Sequence, residues 1–239
     1  MTPRPHARTR RAVALLTLAS AGLLSLTGCD PRTLIYFLQP FEPTISAPGP
    51  ALKGKKVVVL THAASGAVTE FQAVDRELAK EVVSLFRKNV KKIVVVDPDK
   101  VAAWADEHPT WTDPSEVAKA FEADIVVFLE IEAFRVQSSS SPGMLEGNSR
   151  VHIQAFELGH PKNSRGKPDT DQPKESHSVY DDYRDTTFPI RGPIPVETGV
   201  SPAAFKSKFL HIVANEISWH FVPHSPEDDI QDVKFDARK

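Results

Sequence analysis

The stretch Val57-Val58-Val59-Leu60 predicts a buried strand, because it is a short run of β-branched and apolar residues that follows a polar turn. An amphipathic helix is predicted next, since apolar residues recur at steps of three and four. These residues are Val68, Phe71, Val74, Leu78, Val82, Leu85 and Phe86. A second apolar run, Ile93–Val96, predicts another buried strand. A strand, a helix and a strand in this order predict a parallel pair joined by a right-handed crossover.

Two short helices and a hairpin are predicted to follow. Asp97-Pro98 and Asp113-Pro114 each predict a helix start, because Asp caps a helix and Pro fits its first turn. Ile125–Leu129 predicts a third buried strand that continues in alternation to Ala133. Arg150–Leu158 predicts a fourth strand, antiparallel to the third.

The last part of the predicted domain holds an edge strand and a closing helix. Val179–Arg184 predicts the edge strand, and Ser201-Pro202 predicts the helix start. The chain is therefore predicted to be a single α/β domain with a mixed parallel and antiparallel sheet and helices packed on it. The predicted order is β-α-β-α-α-β-β-(β)-α, where the bracketed strand is the edge strand.

The first 28 residues have the pattern of an export signal. Four arginines between Arg4 and Arg11 precede an apolar run from Ala12 to Leu26, and no acidic residue interrupts either part. The run is shorter than the roughly 20 residues that cross a membrane as a helix. We therefore predict a secretory signal peptide over residues 1–28.

The sequence Leu26-Thr27-Gly28-Cys29 resembles the lipobox of bacterial lipoproteins. That resemblance implies an acyl chain such as palmitate on Cys29, cleavage before Cys29 and acylation of the new N-terminus. It implies a protein of the bacterial cell envelope or periplasm, held by lipid to a membrane and extracytoplasmic, with inner or outer membrane left open. The alternative is an ordinary signal peptide followed by a chance cysteine. Cys29 is the only cysteine, so no internal disulfide is expected.

The chain is predicted to have four parts. Residues 1–28 are the signal peptide, and residues 29–56 carry the lipid and a Pro-rich tether. Residues 57–222 form the α/β domain, and residues 223–239 form a polar tail. With 41% hydrophobic and 25% charged residues and a formal charge of −2, the composition is that of an ordinary globular protein. No nucleic-acid partner is expected, because such binders are usually basic.

Four polar residues of the predicted hairpin are candidate functional residues. Glu130 and Glu132 lie on one face of the third strand, and His152 and Gln154 are expected opposite them. A carboxylate pair beside a histidine suits general acid–base chemistry, so an envelope hydrolase using Glu130, Glu132 and His152 is one hypothesis. The pattern is also typical of the solvent-exposed face of an antiparallel sheet, which is our interpretation. No catalytic residue is therefore assigned.

Histidines and tryptophans give weaker signals. His211, His220 and His224 have partly helical spacing, but Pro223 breaks the helix and no HExxH motif is present, so no metal site is predicted. Trp104 and Trp111 are expected to pack around the short helices, with a ligand groove as the alternative. No phosphate-binding loop is recognisable, and no cofactor is expected.

The domain resembles periplasmic lipoprotein domains of the LpoB, CsgG and TolB amino-terminal type. The resemblance is carried by Lys56–Leu60, Glu77-Leu78-Ala79, Ile93–Asp97 and Phe121–Val127. It implies a strand, a helix and two further strands, then a hairpin and a closing helix. It also implies non-enzymatic work, such as activating a wall synthase, assembling a pore or organising envelope complexes. We therefore predict a non-catalytic binding, scaffolding or regulatory module with an envelope protein as partner. A small-ligand sensor is the remaining alternative.

Overall fold

The computed structural model describes residues 43–67, 71, 73–138, 141, 143–160 and 174–229. The described residues from Thr44 onward belong to one structural unit. The signal peptide, the lipobox residues Leu26, Thr27 and Gly28, and Cys29 lie outside the described residues, so the signal peptide and the lipid anchor stay predictions. The helices within the described ranges are all too short or too polar to cross a membrane.

The described residues form six strands, four α-helices and two short 3-10 helices. In chain order the strands and α-helices are β1 Lys56–Ala63, α1 Val74–Asn89, β2 Val94–Val95, α2 Pro98–Glu107, α3 Ser115–Ala120, β3 Ile125–Gln137, β4 Met144–Gly159, β5 Glu175–Phe188, β6 Ile194–Pro195 and α4 Pro202–Trp219. The 3-10 helices span Val196–Thr198 and Pro226–Asp229.

The strands form one mixed sheet in the order β2-β1-β3-β4-β5, and β6 pairs with β4. β1 runs parallel to both β2 and β3, whereas β3–β4 and β4–β5 are antiparallel pairs. The predicted α/β class with a mixed sheet is thus confirmed. β5 is the predicted edge strand, and it extends well beyond Val179–Arg184 in both directions.

Helices α1 and α4 cover one face of the sheet. Alternate residues of the central strands, such as Val57, Val127 and Ile153, point into this core. Phe86 of α1 and Phe209 of α4 meet them and are fully buried. This main core is the largest apolar cluster among the described residues, and its aromatic rings set the spacing between the helices and the sheet.

Helices α2 and α3 cover only part of the other face. Leu60 and Phe128 pack there against Val101 and Val117, which come from α2 and α3. Trp104 and Trp111 are partly buried against the same cluster. Because these two helices are short, the strands β3, β4 and β5 extend past them and leave polar side chains on an uncovered area.

Two predicted elements differ from those in the structure. α1 begins at Val74, because the preceding residue Ala73 has a left-handed conformation with φ of 63°. Phe71 nevertheless packs against the main core from outside the helix, whereas Val68 lies outside the described residues. The prediction of a buried second strand was wrong, since β2 is a two-residue edge strand and Val94 is 58% exposed.

The segment before β1 lies against the C-terminal end of α4. The amide of Ile45 donates to the carbonyl of His224 at 2.9 Å, and the amide of Gly49 donates to the carbonyl of His220 at 2.7 Å. Leu52 is buried in the main core. The part of the predicted tether from residue 44 to residue 55 therefore packs on the domain instead of forming a free spacer.

Candidate functional site

The uncovered area carries three cross-strand rows of side chains, which follow from the strand register. His62 of β1, Glu130 of β3, His152 of β4 and Tyr183 of β5 form one row. Phe128, Gln154 and Asp181 form a second row, nearer to α3. In the third row Arg150 is paired with Asp185, and Glu132, which lies at a register shift of β3, contacts Arg150 through an ion pair. We call the polar members of β3, β4 and β5 the open face: Glu130, Glu132, Arg150, His152, Gln154, Asp181, Tyr183 and Asp185.

Arg150 neutralises one end of the open face. Its Nε lies 3.1 Å from Glu132 Oε2, and its Nη1 lies 3.9 Å from Asp185 Oδ1. The centre of its guanidinium stands 5.0 Å from the centroid of the Tyr183 ring, which is a cation–π distance. Glu132 and Asp185 are therefore held by a cation from within the chain.

His152 is held by the strand β5. Its ring stacks on Tyr183 with centroids 4.2 Å apart and 5° between the planes. Its Nε2 lies 2.8 Å from Asp181 Oδ1, and Gln154 Nε2 donates to Asp181 Oδ2 at 2.9 Å. The hydrogen bond from Gln154, and then that from His152, lower the pKa of Asp181 below its ordinary value. Asp181 thus remains ionised and orients the imidazole.

A groove of about 370 Å³ lies where the open face meets the loop between α2 and α3. We call it the Trp111 groove, and its lining residues are His62, Pro109, Trp111, Thr112, Pro114, Phe128, Glu130 and Gln154. Trp111 meets His62 and Phe128 edge-on, at centroid distances of 5.9 and 5.7 Å. The groove is open to solvent and combines an aromatic wall with one carboxylate.

The α2–α3 loop fixes the position of Trp111. His108 stacks on Trp104 at 4.7 Å, and its Nδ1 contacts the carbonyl of Trp104 at 2.8 Å. The amide of Trp111 then donates to the carbonyl of His108 at 3.1 Å. On the other side, Asp113 Oδ1 accepts from the amide of Ser115 at 2.8 Å. The loop that carries Trp111 is therefore held by hydrogen bonds both beside α2 and beside α3.

The predicted hydrolase residues share one face but do not converge. Glu132 pairs with Arg150, and His152 bonds to Asp181. Glu130 lies 3.9 Å from His152 Nδ1, which is too long for a hydrogen bond. Of the three residues, Glu130 alone lines the Trp111 groove. The arrangement can bind a ligand, but it does not bring two carboxylates and a histidine to one reacting atom.

The three histidines near the C-terminus have separate contacts. His211 Nδ1 lies 3.2 Å from Glu81 Oε2, and His220 Nδ1 lies 2.6 Å from the hydroxyl of Tyr180. His224 stacks on Trp219 at 4.5 Å. In the ranges that the structure describes, no three His, Cys, Asp or Glu side chains form a group suited to a metal ion.

A second cleft, of about 310 Å³, lies beside the C-terminal end of α4. It is lined by Ile45, Pro48, Arg184, Glu216, Trp219, His220 and His224. Glu216 accepts from Arg184 Nε at 2.8 Å and from the hydroxyl of Thr186. Burial raises the pKa of the Tyr180 hydroxyl above its ordinary range, and its hydrogen bond to Asp182 acts in the same direction. These groups satisfy one another and join β5 to α4.

The sequence did not predict the partners that β5 contributes or the set of residues that lines the Trp111 groove. Val179–Arg184 was predicted as an edge strand, but only the structure shows that Asp181 contacts His152 and that Tyr183 lies beneath the guanidinium of Arg150. Trp104 and Trp111 pack around the short helices as predicted. Trp111 also walls a groove, which was the alternative considered for it.

No protein-family model matches the chain, and no curated protein matches it either. Among solved structures, the PelC dodecamer from Paraburkholderia phytofirmans has 15% identity and a TM-score of 0.40, over 75% of this chain and 96% of that one. The hypothetical protein CT253 from Chlamydia trachomatis has 16% identity and a TM-score of 0.39, over 70% of this chain and 98% of that one. The lipoprotein GNA1162 from Neisseria meningitidis has 12% identity and a TM-score of 0.37, over 71% of this chain and 99% of that one. The resemblance to LpoB, CsgG and TolB domains stays a prediction.

Proposed function

We propose that the chain is a lipid-anchored, extracytoplasmic module of the bacterial cell envelope, and that it binds a protein partner without catalysing a reaction. The Trp111 groove carries this proposal. It is a concave, solvent-open site with aromatic walls and a single carboxylate, built on a loop that both flanking helices hold in place. Aromatic side chains provide contact area at little cost in side-chain entropy, which suits a binding surface.

The pairing on the open face supports a non-catalytic role. Glu132 and His152 each have a partner within the chain, so neither is presented to the groove. General acid–base catalysis needs the acid and the base within hydrogen-bond reach of one substrate position. Apart from Glu130 and Gln154, which line the groove, the open face instead forms a polar border beside it.

The groove lies far from the start of β1. The chain enters β1 at Lys56, whereas the groove lies beside His62, near the other end of that strand. At about 3.3 Å per residue, the two points are roughly 20 Å apart along the strand. A partner in the groove would therefore meet the end of β1 that lies opposite to Lys56.

Site-specific photo-crosslinking in cells tests the binding role. A photoreactive amino acid replaces Thr112, an exposed groove residue, and in a matched variant it replaces Lys119, an exposed residue of α3 that does not line the groove. We expect a discrete protein adduct from position 112 and none from position 119. Absence of an adduct at 112, or equal adducts at both positions, would contradict the proposal.

A further inference from the structure

We infer that the Trp111 groove receives a positively charged organic group, the guanidinium or ammonium of a basic side chain on the partner protein. This inference rests on the proposed function and names the chemistry of its binding site. Three observations support it: the charged residue that lines the groove, the ion pairs that neighbouring residues already form, and the openness of the groove to solvent.

Glu130 supplies the charge of the groove. It is the one carboxylate among the described lining residues, and no Lys or Arg lines the groove. Its side chain is 35% exposed, and its ion-pair contact within the described chain is His152 Nδ1 at 3.9 Å. Glu132, two residues along the same strand, is held by Arg150. Glu130 is thus a partly shielded carboxylate that faces the groove, and no guanidinium or ammonium group among the described residues pairs with it.

The chain contains its own example of the expected complex. Arg150 sits between the Glu132 carboxylate and the ring of Tyr183, 5.0 Å from the ring centroid. The Trp111 groove presents the same pair of features, a carboxylate from Glu130 and an aromatic ring from Trp111, without the cation. Trp is the most favourable ring for cation–π contact, and a nearby carboxylate adds charge attraction.

The openness of the groove favours a side chain of a protein over a free amine. Small-molecule sites usually enclose most of their ligand, whereas this groove is open along one side. A free amine would keep much of its hydration there. A basic side chain brings flanking backbone, which can contact the walls formed by Pro109 and Pro114.

Tryptophan indole signals provide a direct test in the full chain, held in neutral detergent micelles. The probes are a capped Gly-Gly-Arg-Gly-Gly peptide, the same peptide with uncharged citrulline in place of Arg, and agmatine as a free amine. We expect the Arg peptide to shift the Trp111 indole signal and to bind about fivefold more tightly than the citrulline peptide or agmatine. The signals of Trp104 and Trp219 report whether the fold is intact.

Two substitutions on β3 complete the test. Glu130→Gln keeps the shape of the side chain and should weaken binding of the Arg peptide about fivefold. Glu132→Gln, on the same face but already paired with Arg150, should leave it unchanged. Equal binding of the citrulline peptide, no effect of Glu130→Gln, or agmatine binding as tight as the peptide would overturn the inference. A cross-link from position 112 that persists in Glu130→Gln would overturn it while leaving the proposed function standing.

Discussion

Gly147 of β4 lies directly beneath the ring of Phe209 on α4. A Cβ at this position would stand 2.5 Å from the Cγ and Cδ2 atoms of Phe209. The ring is fully buried and packs on Phe134 at 5.1 Å, so it has no space into which to move. We expect Gly147→Ala to lower the free energy of unfolding by about 1–3 kcal/mol, the usual cost of overpacking, measured by chemical denaturation.

The matched control lies on the same strand. At Gly159 a Cβ would have its nearest neighbour, His177 Cε1, at 4.0 Å, which is an ordinary contact. Gly159→Ala should therefore change the free energy of unfolding by no more than about 0.5 kcal/mol. Equal effects of the two substitutions would show that the close approach of β4 to α4 does not restrict position 147.

His220 makes the stability of the domain depend on pH. Burial lowers its pKa below the ordinary 6.5, with Arg184 and His224 acting in the same direction and Asp182 and Glu216 opposing them. The unfolded chain therefore takes up a proton at a higher pH than the folded chain does. The contribution of the neutral His220 imidazole to the free energy of unfolding is fully present above pH 6.5 and is lost as the pH falls below that value.

Thermal unfolding at pH 7.5 and 5.5 measures this effect. We expect the wild-type chain to be less stable at the lower pH and His220→Gln to show a smaller difference between the two. His177→Gln is the control, because His177 has a side chain that is 59% exposed. Its pH dependence should match that of the wild-type chain. An unchanged pH dependence in His220→Gln would exclude His220 as the cause.

At the scale of elements, the start of α4 depends on a single side chain. Ser201 accepts from the amide of Ala204 at 3.2 Å, and Pro202 occupies the first turn. Since α4 carries Phe205 and Phe209 into the main core, fraying of its first turn would loosen that packing. We expect Ser201→Ala to lower the free energy of unfolding by about 1 kcal/mol, measured by urea denaturation.

Ser207 in the same helix distinguishes capping from the general effect of removing a hydroxyl. It is exposed in the middle of α4, where alanine has the higher helix propensity. Ser207→Ala should therefore leave stability unchanged or raise it slightly. A loss as large as that of Ser201→Ala would rule out capping as the explanation.

The elements also show what local sequence can and cannot predict. Asp97, Asp113 and Ser201 each accept a backbone hydrogen bond at a helix start, as their local patterns predicted. The start of α1 was not predictable in this way, because an apolar residue such as Phe71 contributes to the core from outside the helix. The exposure of Val94 depends on its edge position in the sheet, which a run of valines does not reveal.

At the scale of the whole molecule, the sequence predicted the mixed sheet because apolar runs, helix periodicity and the hairpin are local patterns that agree with one another. The Trp111 groove was harder to predict. It joins the end of β1, the α2–α3 loop and the middle of β3 and β4, so it depends on the register between distant segments. Glu130 and Gln154 were recognised as candidates, but their neighbours His62 and Trp111 were not connected to them.

The lipid anchor gives the last prediction. If Cys29 is acylated, the mature wild-type N-terminus should begin at Cys29 and carry acyl mass, and the protein should partition into the detergent phase. Each buried methylene contributes about 0.8 kcal/mol, so several acyl chains would hold the domain firmly at a membrane. Cys29→Ala should retain residues 1–28 and carry no acyl mass, as read by mass spectrometry of the N-terminal peptide.

The control for the anchor is Thr27→Ala, which keeps a small residue before Gly28 and should be processed like the wild-type chain. A free thiol at Cys29 on an uncleaved wild-type chain would contradict the anchor. It would also contradict the envelope location in the proposed function, because that location rests on the lipid anchor.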